Sequence, residues 1–393
     1  MIAGAERPTA PGDRFSLGRP LALTAMAGKT QRPKVRLLVL YGGRSAEHEV
    51  SCISALHVVR AADPDRYDLK VIGITTDGRW TDATARVLDG GTGGHIALPS
   101  PDTIPSMSSL EPIQTVTPSE DSGPLVVLPL LHGPMGEDGT VQGLLEVAGV
   151  PYCGPGVTGS AAASDKGMAK SLLAAAGLPQ ARFVFIREGE IEADPAALID
   201  RVARELGWPV FVKPANMGSS IGITCAHGPA ELAAALTTAR RYDEFVIIEE
   251  AVSGARELEI GVLGWPDLRT SLPGEIKPSH EFYDFEDKYL DGGAALDVPA
   301  CIPDDVANDM SRLAIEVCNA LRVDSMARVD FFWQEGGRGL LVNEVNTIPG
   351  FTPISMFPQL WAASGVPYEK LVDELVDQAL RRADRRKRFE THR

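Results

Sequence analysis

Two apolar segments near the end of this 393-residue chain constrain its fold most: "MARVDFFWQ" (326–334) and "GLLVNEVN" (339–346), joined by a Gly-Gly turn. Their length, their β-branched and aromatic content and the turn between them predict a β-hairpin. Side chains alternate faces along a strand. Arg328 and Asp330 therefore share one face of the first strand, and Glu344 and Asn346 share one face of the second. Facing each other, they make a patch of two carboxylates, an amide and a guanidinium. A cross-strand salt bridge is the plain reading. It does not explain why Asp330 and Glu344 lie among Val329, Phe331, Phe332, Leu341, Val342 and Val345. Charge in such strands is costly unless it is paired or metal-bound. Oxygen donors suit Mg²⁺, which binds through one or two carboxylates plus substrate phosphates.

The rest of the chain reads as alternating strands and helices. "VRLLVLYGG" (35–43) is a buried strand ending in a tight turn. "SCISALHVVRAAD" follows as a helix, with Cys52, Ala55, Leu56 and Val59 on one face and Ser51 as its expected N-cap. "YDLKVIGIT" (67–75) is the next strand, and this order opens a parallel α/β sheet. "GPLVVLPLLHG" (123–133) adds a third strand, "TVQGLLEVAG" a helix, and "VPYCG" a return to the sheet. Residues 87–123 are rich in Pro, Ser, Thr and Gly and receive no assignment. One helix is expected over 158–177, a strand over 182–186, and a long helix over 303–322. The closing helix "YEKLVDELVDQALRRADRRK" ends in cations that suit its C-terminus.

Length calls for two or three packed domains. Charged residues at 23% and hydrophobic residues at 44% are ordinary for a globular protein. A net charge of −15 argues against broad nucleic-acid binding. The cysteines Cys52, Cys153, Cys225, Cys301 and Cys318 are scattered, which fits a reducing cytoplasm better than a disulfide framework or zinc site. No apolar run approaches the ~20 residues of a membrane span, and no membrane partner is expected. Met1 to Lys34 reads as a disordered extension without a signal-peptide core, with Met26 as an alternative start.

"FVKPANMGSSIGIT" (211–224) is a strand that ends in a lysine and runs into a hydroxyl-rich loop. A surface turn with a snorkelling lysine is one account. A phosphate site with a closing loop of N–H and O–H donors is the other. Lys166, Lys213 and Lys288 each sit beside a turn or helix start and, with Mg²⁺, could neutralise a triphosphate. No G-x-x-x-x-G-K-[ST] loop occurs, and "GGRSAEHEV" fails as G-x-G-x-x-G. A nucleotide would have to be clamped between sheets.

From about Val35 to about Arg382 the chain resembles the D-alanine:D-alanine ligases of the ATP-grasp fold. The resemblance is carried in order by "GGRSAEHEVS", "LHGPMGEDGTVQGLLE", "FVKPANMGSSIGI", "EFYDFEDKYL", "MARVDFFW" and "NEVNTIPGFTPISMFP". It implies an α/β chain of three domains. These are an N-terminal α/β domain (35–154) and two subdomains that sandwich ATP (155–256 and 257–383), with a basic tail at 384–393. It implies that Lys166 and Lys213 contact the α- and β-phosphates and that Lys288 reaches the γ-phosphate. Ser219 and Ser220 belong to the closing loop, Asn216 to Ser220. Glu249, Glu250 and Val252 would line the adenine pocket, and Glu257 would bind the ribose. Asp330, Glu344 and Asn346 would hold two Mg²⁺ ions, with Mn²⁺ as a substitute. Glu47, near His132, would take the ammonium of the first D-alanine. Arg328 and the Gly350 N–H would stabilise the oxyanion, and Ser355 would bind the second D-alanine carboxylate. Ser219 and Tyr289 would join Glu47 in a bridge that shuts the site. Singly, Glu47 reads equally as a helix-start carboxylate, His132 as a core histidine and Ser355 as a turn cap. The implied activity is ATP-dependent ligation of two D-alanines through a D-alanyl phosphate, for peptidoglycan precursors, by a cytoplasmic homodimer. The rivals are a ligase for D-lactate or D-serine and a nucleotide-binding module without catalysis. The Tyr289 loop favours D-alanine as second substrate, because a neutral phenol does not repel an incoming ammonium.

Overall fold

The computed structural model describes residues 33–88, 96–104, 112–117, 123–277, 295–352 and 354–390. Lys34–Arg393 forms one compact unit, to which everything below refers.

The first sheet has the order β3-β2-β1-β4, built from β1 (Val35–Gly42), β2 (Tyr67–Ile74), β3 (Trp80–Asp82) and β4 (Leu125–Pro129). β1 pairs in parallel with both β2 and β4, and the edge strand β3 runs antiparallel. β1 is apolar on both faces because both are covered. Leu37, Val39 and Tyr41 face helix α1 (His48–Ala61), whereas Leu38 and Leu40 face α2 (Thr140–Val147). Cys52, Ala55, Leu56 and Val59 are buried on α1 as their spacing predicts. Ser51 is not the N-cap. The helix begins at His48, and Ser51 lies inside it, where its hydroxyl accepts from the Gly42 N–H at 2.8 Å and donates to the Leu130 carbonyl.

The expected single helix over 158–177 is two helices, α3 (Val157–Ser164) and α4 (Lys166–Ala175). Asp165 breaks the run: its backbone is extended and its carboxylate accepts from the Met168 N–H, capping α4. The antiparallel sheet that follows has the order β5-β8-β6-β7: β5 (Phe183–Arg187), β6 (Val210–Pro214), β7 (Thr224–Ala226) and β8 (Phe245–Glu250). Helices α5 (Pro195–Glu205) and α6 (Pro229–Ala239) close its core.

The third sheet runs β12-β11-β9-β13-β14, with β10 paired to β9. Its strands are β9 (Arg256–Gly264), β10 (Arg269–Thr270), β11 (Gly274–Lys277), β12 (Ala295–Asp297), β13 (Ser325–Gln334) and β14 (Gly339–Asn346). One face packs on α3, α4 and α7 (Asp304–Leu321). The chain closes with α8 (Met356–Ala363) and α9 (Tyr368–Arg386). The expected basic tail therefore begins as helix, and Arg386 in its last turn pairs with Glu146. Leu371, Val372, Leu375, Val376 and Ala379 of α9 lie in the same core as β1 and α1.

Candidate active site

The predicted hairpin forms, with Arg328 opposite Asn346 and Asp330 opposite Glu344. On its other edge β13 pairs with β9, where Asp330 lies opposite Glu259. Three carboxylates thus stand in a row across three strands. Phe331 pairs with Val342, so Asn343 is an extra residue in β14 and the strand bends beside Glu344. Arg328 lies between the acids. Its Nε is 2.8 Å from both Asp330 Oδ1 and Glu259 Oε2, and its Nη2 donates to Asp330 Oδ2 at 2.8 Å. Asn346 Nδ2 donates to Asp330 Oδ2 at 2.9 Å. Burial opposes the Arg328 charge, yet Asp330 and Glu259 hold its pKa well above the ordinary value.

A cavity of about 10 Å³ lies beside this row, lined in part by Lys166, Lys170, Lys213, Glu249 and Glu344. Lys166 opens α4, Lys213 lies on β6 and Glu249 on β8, so the cavity lies between the second and third sheets. Lys213 Nζ is 2.7 Å from Glu249 Oε2, and Lys170 Nζ is 3.2 Å from Glu249 Oε1. Burial alone would push the Glu249 carboxyl up; Lys170 and Lys213 outweigh it and hold the pKa at about 2.

The loop after β6 is fastened at three points. Asn216 donates to Asp243 Oδ2 through its backbone N–H and its side chain, at 2.9 and 2.8 Å. The Lys166 ammonium donates to the Met217 carbonyl. Ser219 Oγ donates to Glu47 Oε1 at 2.5 Å. Ser219 and Ser220 both have left-handed backbones, with φ of 49° and 59°. Beyond Glu47, His132 is buried, with Nδ1 3.1 Å from the Ile348 carbonyl and Nε2 3.3 Å from Ser54 Oγ. Its Nδ1 is also 3.8 Å from Glu137 Oε1. Burial works against its charge, but Glu137 outweighs this and raises its pKa. Gly350 lies in the segment after β14. A Cβ there would sit 2.7 Å from Ser355 Oγ, so any larger residue would have to push that hydroxyl aside. Ser355 stands at the N-cap of α8 without a side-chain bond into the helix; its hydroxyl oxygen accepts from the Thr352 N–H at 3.0 Å, the turn-capping contact its plain reading expects.

A family model described as "D-ala D-ala ligase N-terminus" matches residues 36–155, and one described as "D-ala D-ala ligase C-terminus" matches 172–377. A "D-alanine--D-alanine ligase" of Mycobacterium sp. (strain KMS) is 48% identical over 380 residues, covering 91% of this chain and 99% of the relative.

The chain belongs to the D-alanine–D-alanine ligase family.

A ligase of the same name from Nocardia farcinica is 46% identical over 364 residues, covering 89% of this chain and 98% of its own. Among solved structures, the D-alanine-D-alanine ligase from Coxiella burnetii superposes with a TM-score of 0.74 at 32% identity, covering 90% of this chain and 96% of that one. The VanG D-Ala:D-Ser ligase from Enterococcus faecalis gives 0.74 at 31% identity, covering 88% and 100%. The three-sheet α/β architecture is the ATP-grasp architecture of this ligase family.

Within this ligase chain the cavity brings together Lys166, Lys213, Glu249 and Glu344, and the loop joins Ser219 to Glu47. Glu250 turns to the opposite side of β8, where Arg182 Nη2 and Arg338 Nη1 each approach its carboxylate at 2.6 Å. Glu257 lies on β9 opposite Phe332, and Val252 is half-buried in the segment after β8. Lys288 and Tyr289 lie outside the described residues. Sequence reasoning missed Glu259, Lys170, Glu137 and Ser54. Alternation in "RELEIGVLG" puts Glu257 and Glu259 on one face, a signal for Glu259 that needed only the β9–β13 pairing. Lys170 stands four residues after Lys166, the spacing of one helix face. No helix among the described residues is long and apolar enough to cross a membrane.

Proposed function

We infer that the protein joins two molecules of D-alanine to D-alanyl-D-alanine with conversion of ATP to ADP and phosphate. The observation that carries this reading is one continuous site. The lysines and Glu344 line one cavity, and the loop beside it is bonded to Glu47.

The first D-alanine places its ammonium against Glu47, beside His132. Its carboxylate oxygen attacks the γ-phosphorus of ATP, ADP leaves, and D-alanyl phosphate forms. A free carboxylate is a poor electrophile; the phosphoryl group turns its oxygen into a leaving group. The second D-alanine, its carboxylate held by Ser355, loses an ammonium proton and its amine attacks the acyl carbon. The tetrahedral intermediate then breaks its C–O bond to the phosphoryl group, expels inorganic phosphate and sheds the remaining amine proton to leave the amide. Negative charge on the tetrahedral oxygen is met by Arg328 and the Gly350 N–H. Lys166 and Lys213 bind the α- and β-phosphates, and the Asn216–Ser220 loop excludes water that would hydrolyse the acyl phosphate.

Asp330, Glu344 and Asn346 are the residues that would hold Mg²⁺, whose chemistry is to neutralise phosphate oxygens. The donor set fits: two carboxylates in register and an amide on the same face. Among the described residues no three acidic, histidine or cysteine side chains form a cation cage. Mg²⁺ binds through one or two carboxylates and completes its shell with waters and substrate phosphates.

The test is product mass after incubation with ATP, Mg²⁺ and equal concentrations of D-alanine, D-lactate and D-serine. D-Alanyl-D-alanine is expected to dominate at neutral pH. Mainly D-alanyl-D-lactate or D-alanyl-D-serine would overturn the choice of second substrate. ADP release independent of D-alanine would overturn the ligase reading.

A further inference from the structure

The cavity lining holds three ammoniums, Lys166, Lys170 and Lys213, against two carboxylates, Glu249 and Glu344. Neutralising Glu249 needs one lysine, yet two face it. The Lys170 and Glu249 side chains are each only 3% exposed. Lys213 hydrogen-bonds Glu249 at 2.7 Å. Lys170 approaches the other oxygen at 3.2 Å as an ion pair, in a geometry that makes no hydrogen bond. Glu344 acts on both lysines from farther away and Glu257 acts on Lys213, so the cluster holds buried charge whose partners a polyanion can rearrange.

The space between these groups has room for about one water molecule. A triphosphate does not fit in that space, so its phosphates lie against the rim, and Lys213 turns toward them by sharing or giving up its bond to Glu249. An uncompensated carboxylate left behind at 3% exposure would strongly oppose that exchange. Lys170 lies one turn along α4 from Lys166, is fixed on the same wall, and already faces the oxygen that Lys213 does not use.

We propose that Lys170 is a positioning residue for the nucleoside triphosphate: it keeps Glu249 paired while Lys213 moves from that carboxylate to the phosphates. The proposal deepens the ATP-dependent reading of this site and rests on it. Lys213 thereby has two partners in turn, and Lys170 has one throughout.

The test reads nucleotide binding directly, so it is separable from the identity of the ligated product. ATP with Mg²⁺ is titrated calorimetrically into the full-length protein and into Lys170→Met, which is one heavy atom shorter, stays unbranched and removes the charge. The dissociation constant is expected to rise at least about tenfold, with KM for D-alanine within about twofold of wild type. Lys170→Arg is expected to restore ATP affinity to within about threefold. In a Glu249→Gln background the Lys170→Met penalty is expected to vanish, because no carboxylate remains to be kept paired. Wild-type ATP affinity in Lys170→Met would overturn the proposal. So would an undiminished penalty in the Glu249→Gln background, or a parallel rise of KM for D-alanine, which would mark a merely structural lysine. Should Lys170→Met fail to fold, the double variant carries the test, since it removes both charges. ATP affinity equal to that of Glu249→Gln alone supports the proposal, and a tenfold weaker value overturns it.

Discussion

Glu249 shows how a single ionisation couples the site to stability. Its folded pKa of about 2 lies below its ordinary 4.5. The stabilisation is therefore complete above the unfolded value and is lost as pH falls from about 4.5 toward 2. Denaturant titrations from pH 5 to pH 2 should show the midpoint falling steeply for wild type and more gently for Glu249→Gln. At neutral pH that substitution should cost on the order of 3–5 kcal/mol, because Lys170 and Lys213 stay buried with their partner gone. Identical pH profiles would contradict the assignment. The acids of the hairpin are tested by turnover instead. Asp330→Asn and Glu344→Gln should each lower kcat by about 10²-fold or more with the fold retained, and Asp330→Asn should also lower the melting temperature, because Arg328 loses a charged partner. Full activity of both variants at low Mg²⁺ would remove the metal assignment.

At the scale of elements, the loop after β6 is a short span tied to three separate parts of the molecule: Asp243, Lys166 and Glu47. Ser219→Ala removes the tie to Glu47. It should lower turnover about 10- to 100-fold, leave ATP affinity within about threefold, and raise hydrogen exchange across residues 217–221. Unchanged exchange and unchanged turnover together would show that the loop does not close through this bond. Strand and helix types were legible in the sequence wherever periodicity was strong, as in β1, α1 and the β13–β14 hairpin. That hairpin carried most of the site, because alternation alone puts Arg328, Asp330, Glu344 and Asn346 on shared faces. The sequence is least explicit where a local cue competes with a tertiary one. Ser51 has the chemistry of a cap but is spent on the Gly42 and Leu130 backbone inside α1. Asp165 looks like a mid-helix acid but caps α4. Glu259 joins Asp330 through a strand pairing that crosses about seventy residues of sequence, which no local pattern encodes.

At the scale of the whole molecule, the last helix belongs to the first core. Arg382 of α9 is buried. Its Nη1 donates to the Gly154 carbonyl at 2.7 Å and pairs with Asp324 at 2.9 Å, while its Nη2 donates to the Tyr152 carbonyl at 2.8 Å. Its guanidinium also stacks 4.7 Å from the centroid of the Tyr152 ring. Arg382→Met should destabilise the protein by roughly 3–5 kcal/mol, since the Asp324 charge and two carbonyls lose their partner. Hydrogen exchange should rise first in β4 and around Cys153. It should change little across Phe183–Glu250, whose core is made of that segment's own residues. A uniform rise would show that the two cores do not open separately. The position of α9 also bears on how the protein is made. Leu371 to Ala379 cover an apolar face that β1 and α1 present more than three hundred residues earlier. While the chain is emerging from the ribosome, that face lacks its α9 cover until residues 371–379 have been made. The β5–β8 unit, complete by Glu250, can collapse on its own well before then. Synthesis therefore completes the β5–β8 core before the core that β1 and α1 share with α9, and the latter is the one that needs shelter during translation.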